Sequence, residues 1–192
     1  MNFLAHLTLS HFSPDLQVGN FVGDFVRGRE LESLPAGVRR GVLLHRAIDA
    51  LTDADPDVRR LNAVLHDRHG RYAPVVSDIA FDYFLHLAWE EFGPAPFPAF
   101  SQSTYAVLRQ ARPGLSPRLN RYVDAMVGGA WLELYTTPTG MRQVFHRLEV
   151  RLSKPDLLDG VNDTLRIHAT LFNFTLHALF PRLQALAATY RE

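Results

Sequence analysis

The chain has 192 residues, a formal net charge of zero and no cysteine, and 47% of its residues are apolar. This length suits a single domain, 1–192, with a sizeable core. The absence of cysteine excludes disulfides, zinc–thiolate clusters and cysteine nucleophiles. Residues 1–96 carry nine Arg and thirteen Asp or Glu, so acidic groups are in excess in the first half. Any metal must therefore be held by nitrogen and oxygen ligands.

Targeting and membrane signals are absent from the sequence. The first residues lack the basic segment and long apolar run of a signal peptide. No stretch approaches 18 uncharged apolar residues. Basic residues are not interleaved with aromatic ones in a nucleic-acid-binding pattern. We therefore expect a cytoplasmic protein with no membrane or nucleic-acid partner; the pattern does not indicate an oligomeric state.

In chain order, apolar residues recur with helical spacing and turn residues follow every 15 to 25 positions. Strand signals are nearly absent, so the sequence predicts an all-α, single-domain bundle of about eight or nine helices. Asp55 and Pro56 form a strong start signal, as N-cap and first helical residue. Pro181 is expected to kink or break the last helix. The predicted helices cover 2–12, 16–27, 35–51, 56–68, 78–92, 98–112, 117–135, 138–152 and 157–190.

Polar residues spaced i,i+4 interrupt the apolar stripes of the first helices. Residues four apart lie on one helical face, and an unpaired imidazole or carboxylate on a buried face is costly. Several such pairs in one half of the chain indicate a polar centre inside the bundle, for which a metal ion is the usual reason. The pairs are Asn2/His6, Asn20/Asp24, His45/Asp49 and Asp78/Asp82, with His86 one turn beyond the last.

Each pair also has a structural interpretation. His45 and Asp49 suit a solvated face with a local ion pair, and Asp78 and Asp82 suit caps or partners of arginines. A histidine such as His6 on a terminal helix is often a hydrogen-bonded core residue. Two glycines beside Asn20 and Asp24 indicate a close helix crossing or a close approach to a ligand. The remaining candidates, expected to be exposed or in the core, are His66, Asp67, His168, Asn173 and His177.

Together the pairs supply imidazoles and carboxylates, a mixed set that fits Mn²⁺, Mg²⁺ or Fe²⁺ better than structural zinc. Helical scaffolds with such ligands occur in metal-dependent phosphohydrolases. Four segments, in order and from the first methionine, resemble the bacterial acyl carrier protein phosphodiesterases. The segments are residues 1–7, 19–28, 45–53 and 78–85.

The resemblance implies a helical, HD-phosphohydrolase-like, Mn²⁺-dependent enzyme. Its substrate is holo-acyl carrier protein, from which it releases 4′-phosphopantetheine by hydrolysing the phosphodiester to serine. Carried over to this chain, the resemblance makes metal-ligand or catalytic candidates of Asp24, His45, Asp49, Asp78 and Asp82, with His6 and Asn20 as further candidates. Among these, we expect His45 and Asp49, with one or both of Asp78 and Asp82, to hold the ion. We expect Asp24, with Asn20, to act on the attacking water or the substrate.

Arginines are the expected contacts to phosphate and to the acidic carrier protein. Arg46 or Arg27 would neutralise the non-bridging oxygens, and Arg39 and Arg40, with Arg59 and Arg60, would guide docking. Two positions depart from the family pattern. Tyr83 stands where the family usually has histidine, so His86 is expected to meet the substrate instead. Arg46 follows His45, where an ordinary HD enzyme has aspartate.

Two other functions fit the sequence. One is an HD-like hydrolase of a nucleotide or another small phosphoester, which would use the same metal chemistry. The other is a helical binding protein that has lost activity, which Tyr83 favours.

Overall fold

The structure is a computed structural model that describes residues 1–150 and 152–191. Within these ranges it contains helices and no strands, which confirms the all-α prediction. Three of the helices have only four residues each: α3 Glu30–Ser33, α7 Trp89–Phe92 and α10 Trp131–Leu134. The helices are α1 Phe3–Leu9, α2 Pro14–Val22, α3 Glu30–Ser33, α4 Ala36–Ala54, α5 Pro56–His69, α6 Ala73–Leu87, α7 Trp89–Phe92, α8 Phe97–Gln110, α9 Pro117–Gly128, α10 Trp131–Leu134, α11 Pro138–Glu149, α12 Val161–Ile167 and α13 Ala169–Ala188.

Helix starts follow the local signals in the sequence. The carboxylate of Asp55 accepts hydrogen bonds from the backbone N–H groups of Asp57 and Val58, and Pro56 is the first residue of α5. The hydroxyl of Thr137 accepts from the N–H of Gly140 at the start of α11. These side chains satisfy N–H groups that have no partner inside the helix. The predicted cap at Asp55 is confirmed.

Several predicted helices are shorter than expected, which raises the number of helices above eight or nine. Helix α2 ends at Val22 rather than near Arg27. The predicted helix 117–135 is divided at Ala130, whose φ of 45° is left-handed. The predicted helix 157–190 is divided at His168, which caps α13. Gly23 marks the end of α2, and Gly128 and Gly129 precede the break at Ala130, so two of the breaks coincide with glycines in the sequence.

Pro181 lies inside α13, so the expectation that it could end the helix is wrong. Proline removes one backbone hydrogen bond and adds a steric clash. The adjoining turns are held by Leu179, Phe180 and Leu183, all fully buried in the core. Tertiary packing on both sides of the proline therefore outweighs its local penalty.

Helices α2 and α4 cross at very short range. A Cβ atom on Gly19 would lie 2.0 Å from the carbonyl oxygen of Val38 and 2.7 Å from the Cα of Gly41. Only paired glycines allow this approach, and the predicted close contact at the α2 glycines is confirmed. The crossing brings the polar faces of α2 and α4 together, and α1 packs against α2.

Buried apolar side chains from all parts of the chain form one continuous core. Among the described residues, no helix has both the length and the apolarity needed to span a bilayer.

Candidate metal centre

Two buried imidazoles lie stacked between α1 and α4. His6 on α1 is 1% exposed and His45 on α4 is 4% exposed. Their ring centroids are 4.1 Å apart and the ring planes are inclined by 24°. A buried imidazole without hydrogen-bond partners is costly. The partners of both rings therefore show which groups stabilise the pair.

Asn20 on α2 fixes the Nδ1 side of both rings. Its side-chain Oδ1 lies 2.7 Å from Nδ1 of His6, and its backbone oxygen lies 3.0 Å from Nδ1 of His45. The side-chain amide of Asn20 donates in turn to the backbone oxygen of His6, at 2.8 Å. Both Nδ1 atoms face oxygen acceptors, so both carry hydrogen. With hydrogen on Nδ1, the lone pair of each neutral ring is on Nε2. Nε2 of His6 also lies 3.1 Å from the backbone oxygen of Met1.

The two Nε2 atoms converge on Asp49. His6 Nε2 is 3.1 Å from one oxygen of Asp49, and His45 Nε2 is 3.1 Å from the other. His45 Nε2 also lies 3.3 Å from an oxygen of Asp24. One ligand atom from each of His6, His45 and Asp49 lies within 4.8 Å of the others. The side chains of Asp49 and Asp24 are 39% and 46% exposed, so the cluster is open on the carboxylate side.

Gly23, just after the end of α2, makes room for His45. A Cβ atom there would lie 2.4 Å from the Cγ of the imidazole. The ring therefore packs directly against the backbone of α2, where the oxygen of Asn20 is within reach. The two glycines of this segment have separate roles: Gly19 allows the helix crossing, and Gly23 seats the imidazole.

The pKa values in the cluster move in opposite directions. Burial would lower the pKa of His45, but hydrogen bonds to Asp24 and Asp49 outweigh it and raise the pKa to about 9. Burial lowers the pKa of His6 in spite of its hydrogen bond to Asp49. Burial would raise the pKa of Asp49, but both histidines hold it well below its usual range. The cluster thus favours a positive charge beside Asp49.

These residues fit a divalent metal. With ligand bonds of about 2.1 Å at right angles, neighbouring ligand atoms lie about 3 Å apart, which matches both imidazole–carboxylate distances. Metal-ligating histidines usually donate their other N–H to an oxygen, which fixes the ring, and Asn20 accepts both of these bonds. His6, His45 and Asp49 would hold the ion, and an oxygen of Asp24 lies 3.3 Å from Nε2 of His45.

The structure gives the carboxylates of α6 other partners. Asp82 is fully buried, and its two oxygens accept from the backbone N–H groups of Leu4 and Ala5, at 2.7 and 3.0 Å. Burial raises its pKa to about 7, although both N–H groups act in the opposite direction. Asp78 accepts from the terminal ammonium of Met1, at 3.2 Å. Both side chains anchor the start of α1, which carries His6.

The remaining predicted residues lie at the periphery. Arg27, Arg39 and Arg46 are exposed, and Arg40 is exposed and donates to the backbone oxygen of Tyr190. The half-buried ring of His86 packs edge-on against Phe97, with ring centroids 4.7 Å apart. Tyr83 lines a separate cavity of about 410 Å³ with residues of α11, α12 and α13, away from the histidine pair.

Comparison with known proteins decides the family. The model of the family described as acyl carrier protein phosphodiesterase matches residues 1–183. The chain belongs to the acyl carrier protein phosphodiesterase family. The acyl carrier protein phosphodiesterase of Enterobacter sp. (strain 638) is 30% identical over 188 residues, which cover 97% of each chain. Those of Salmonella dublin and Salmonella newport (strain SL254) are 32% identical over 189 residues, which cover 98% of each chain. No solved structure matches the chain significantly.

For this member of the acyl carrier protein phosphodiesterase family, sequence reasoning understated two residues. The sequence makes His6 only a further metal-ligand candidate, because its apolar helix also suits a core histidine. Asn20 was assigned to water or substrate, whereas its observed contacts orient both imidazoles. The sequence positions of His6 and Asn20 do not predict these contacts, because the contacts form only where α1, α2 and α4 pack together.

Proposed function

We propose that the protein is a metal-dependent phosphodiesterase that hydrolyses the bond between 4′-phosphopantetheine and a serine of holo-acyl carrier protein. The family match over residues 1–183 supplies the reaction class and the substrate. The observation that carries the proposal for the site is the convergence of His6, His45 and Asp49 within 4.8 Å. A divalent ion between these groups would account for two buried imidazoles that direct their Nε2 atoms at one carboxylate.

His6, His45 and Asp49 would hold one divalent ion, with Asp24 beside it. Two imidazoles and carboxylates suit Mn²⁺ or Fe²⁺ better than Mg²⁺, which prefers oxygen ligands. We therefore propose Mn²⁺. When bound, the ion supplies Lewis acidity to the phosphodiester and lowers the pKa of a coordinated water. The sequence-based assignment of Asp78 and Asp82 as ligands stays a prediction; their contacts with α1 favour a structural role.

Asp24 is the residue proposed to position the attacking water and accept its proton. Its side chain is 46% exposed and lies 3.3 Å from His45, so it is accessible to solvent at the edge of the cluster. A carboxylate in this place acts as a general base. The water oxygen bonds to phosphorus, the bond from phosphorus to the serine oxygen breaks, and a proton is returned to that oxygen. The products are apo-carrier protein and free 4′-phosphopantetheine.

Exposed arginines are the proposed contacts to the phosphate oxygens and to the carrier protein. Arg46 lies on α4 next to His45, and Arg27 follows the loop that carries Asp24; both are exposed and available to phosphate oxygens. Arg39 and Arg40 lie on the exposed surface of the same helix, α4, and suit an acidic carrier protein. With a carrier protein of fatty acid synthesis as substrate, we place the enzyme in the cytoplasm.

The test is the loss of the phosphopantetheine mass from holo-acyl carrier protein with Mn²⁺, followed by mass spectrometry. We expect turnover by the wild type that is lost in Asp24→Ala and in His45→Ala, and retained in His66→Ala, which removes an exposed histidine of α5. Full turnover in both site variants would refute the proposed site. Hydrolysis of nucleotides without action on the carrier protein would favour the small-phosphoester alternative.

A further inference from the structure

An apolar cleft adjoins the metal centre at Asp24. Its volume is about 460 Å³, within the range of small-molecule sites. The apolar walls are formed by α6, α10 and α11 together with the first residues of the chain, and Asp78 of α6 also lines the cleft. The cleft adjoins the cluster, since Asp24, which is one of its lining residues, also contacts His45. The apolar lining includes Phe3, Ile79, Trp131, Leu134, Val144 and Leu148.

The backbone directly before Trp131 has an unusual conformation, which places the indole in the wall of the cleft. Ala130 has a φ of 45°, a left-handed conformation that a residue with a side chain adopts rarely. A Cβ atom on Gly129 would lie 2.6 Å from Nε1 of Trp131, so the indole folds back over a glycine. The ring then meets Phe3, at a centroid distance of 5.7 Å. Local strain of this kind persists where packing or function maintains it.

A few polar groups reach the same cleft. The amide of Asn2 donates to the hydroxyl of Tyr135, at 3.1 Å. In the described part of the chain, the hydroxyl hydrogen of Tyr135 has no acceptor, and Arg147 forms no ion pair. An apolar cleft with a small number of unused polar groups is suited to a long, mainly uncharged ligand with spaced amides.

We propose that this cleft binds the pantetheine arm of the substrate. The inference rests on the proposed function and specifies the part of the substrate that the enzyme recognises. The arm extends from the phosphorus that is attacked, and it carries a dimethyl group, two amides and a thiol but no charge. With the phosphate at Asp24, the dimethyl group packs against Phe3 and Trp131, and the amides meet Tyr135 and Arg147. Specificity for phosphopantetheine thus comes from the cleft, while the carrier protein remains outside.

Pantetheine, which lacks the phosphate, is the probe that separates this inference from catalysis. The chain has two tryptophans, Trp89 and Trp131. We expect pantetheine to change the tryptophan fluorescence of the wild type without Mn²⁺, and Trp131→Phe to remove the change. N-acetylcysteamine, which has the thiol and one amide but lacks the dimethyl group, and adenosine should give no such change. An absent response to pantetheine at millimolar concentration, or an equal response to adenosine, would overturn the inference even if carrier protein is hydrolysed.

A pair of valine variants tests the cleft in turnover. Val144→Phe fills the cleft, whereas Val64→Phe adds the same volume at a partly exposed position of α5 outside it. We expect Val144→Phe to raise the KM for holo-carrier protein and to weaken inhibition by 4′-phosphopantetheine, each by about tenfold or more, with unchanged Mn²⁺ affinity. Equal KM and inhibition in the two variants would overturn the inference and leave the phosphodiesterase proposal standing. Absence of turnover in the wild type would overturn the proposed function, and pantetheine binding would still be measurable.

Discussion

His6 and His45 lie stacked with ring centroids 4.1 Å apart, and both direct Nε2 at the same carboxylate, that of Asp49. Two imidazolium ions at this distance repel each other, and His45 lowers the pKa of His6 for this reason, in addition to burial. A single divalent ion satisfies both lone pairs at once. The arrangement is compatible with one divalent ion and disfavours protons on both rings at once.

Loss of either imidazole is expected to abolish tight Mn²⁺ binding. A ligand present at 100 times its Kd stabilises the native state by about 2.7 kcal/mol. We expect Mn²⁺ to raise the Tm of the wild type, and to leave that of His6→Ala and His45→Ala nearly unchanged. Differential scanning fluorimetry with and without Mn²⁺ measures this. His66→Ala, at an exposed site, is the control and should respond as the wild type does.

Gly23→Ala should damage the site more than the fold. The new methyl group would lie 2.4 Å from Cγ of His45, so the ring must move away from Asn20 and Asp49. Gly128→Ala is the matched control, because nothing lies within 4 Å of a Cβ atom there. We expect a loss of Mn²⁺ affinity of about tenfold or more in Gly23→Ala alone, measured by calorimetry. Equal affinities in the two variants would show that His45 does not ligate the ion.

Asn20→Leu tests the orientation of the imidazoles. The change removes the acceptor for His6 Nδ1 and the donor to the His6 backbone oxygen. Removal of such outer contacts costs about 10- to 100-fold in metal affinity. Gln17→Leu is the control, since Gln17 is another buried amide of α2 that donates to α1, at the oxygen of Leu7. Both variants should lose stability in urea, but the loss of Mn²⁺ affinity should be confined to Asn20→Leu.

The metal-free protein should lose stability as the pH rises from about 6.5 to about 9. The pKa of His45 is raised from 6.5 to about 9 in the folded state. Its contribution is therefore complete below pH 6.5 and is lost as pH rises through 9. At 1.36 kcal/mol per unit, the loss is at most about 3 kcal/mol. Urea unfolding at several pH values, with EDTA, measures it.

Mn²⁺ should reverse this trend, because proton loss from Nε2 frees the ligand. In His45→Gln the dependence between about pH 7 and 9 should disappear, whereas the buried carboxyl of Asp82 still titrates near pH 7. A metal-free wild type of constant stability over this interval would contradict the assigned proton.

Asp82→Asn distinguishes a metal ligand from a helix anchor. The carboxylate accepts from the N–H groups of both Leu4 and Ala5, and the amide keeps only one acceptor oxygen. We expect a stability loss of about 2 kcal/mol and Mn²⁺ affinity within a few-fold of the wild type. Asp53→Asn, at an exposed position of α4, should change neither quantity. A hundredfold loss of Mn²⁺ affinity in Asp82→Asn would instead support its prediction as a ligand.

The sequence predicted correctly the features that depend on interactions between residues close together in the chain. Asp55 and Pro56 start α5 as expected, and the i,i+4 spacing placed His45 and Asp49 on one face of α4. The ends of helices were less predictable, since the conformation of Ala130 and the continuation of α13 through Pro181 depend on packing against distant residues.

Helical periodicity and the four motifs are local properties of the chain, so the all-α class and the family follow from the sequence alone. Which polar pairs come together depends on how the helices pack. The crossing of α2 and α4 at Gly19 and Gly41 brings Asn20 and Asp24 to His45, and α1 adds His6. Asp82, of the same type and spacing, faces the N-terminus of α1 instead. Spacing selects a face of one helix, but the faces that meet are set by how closely the helices pack.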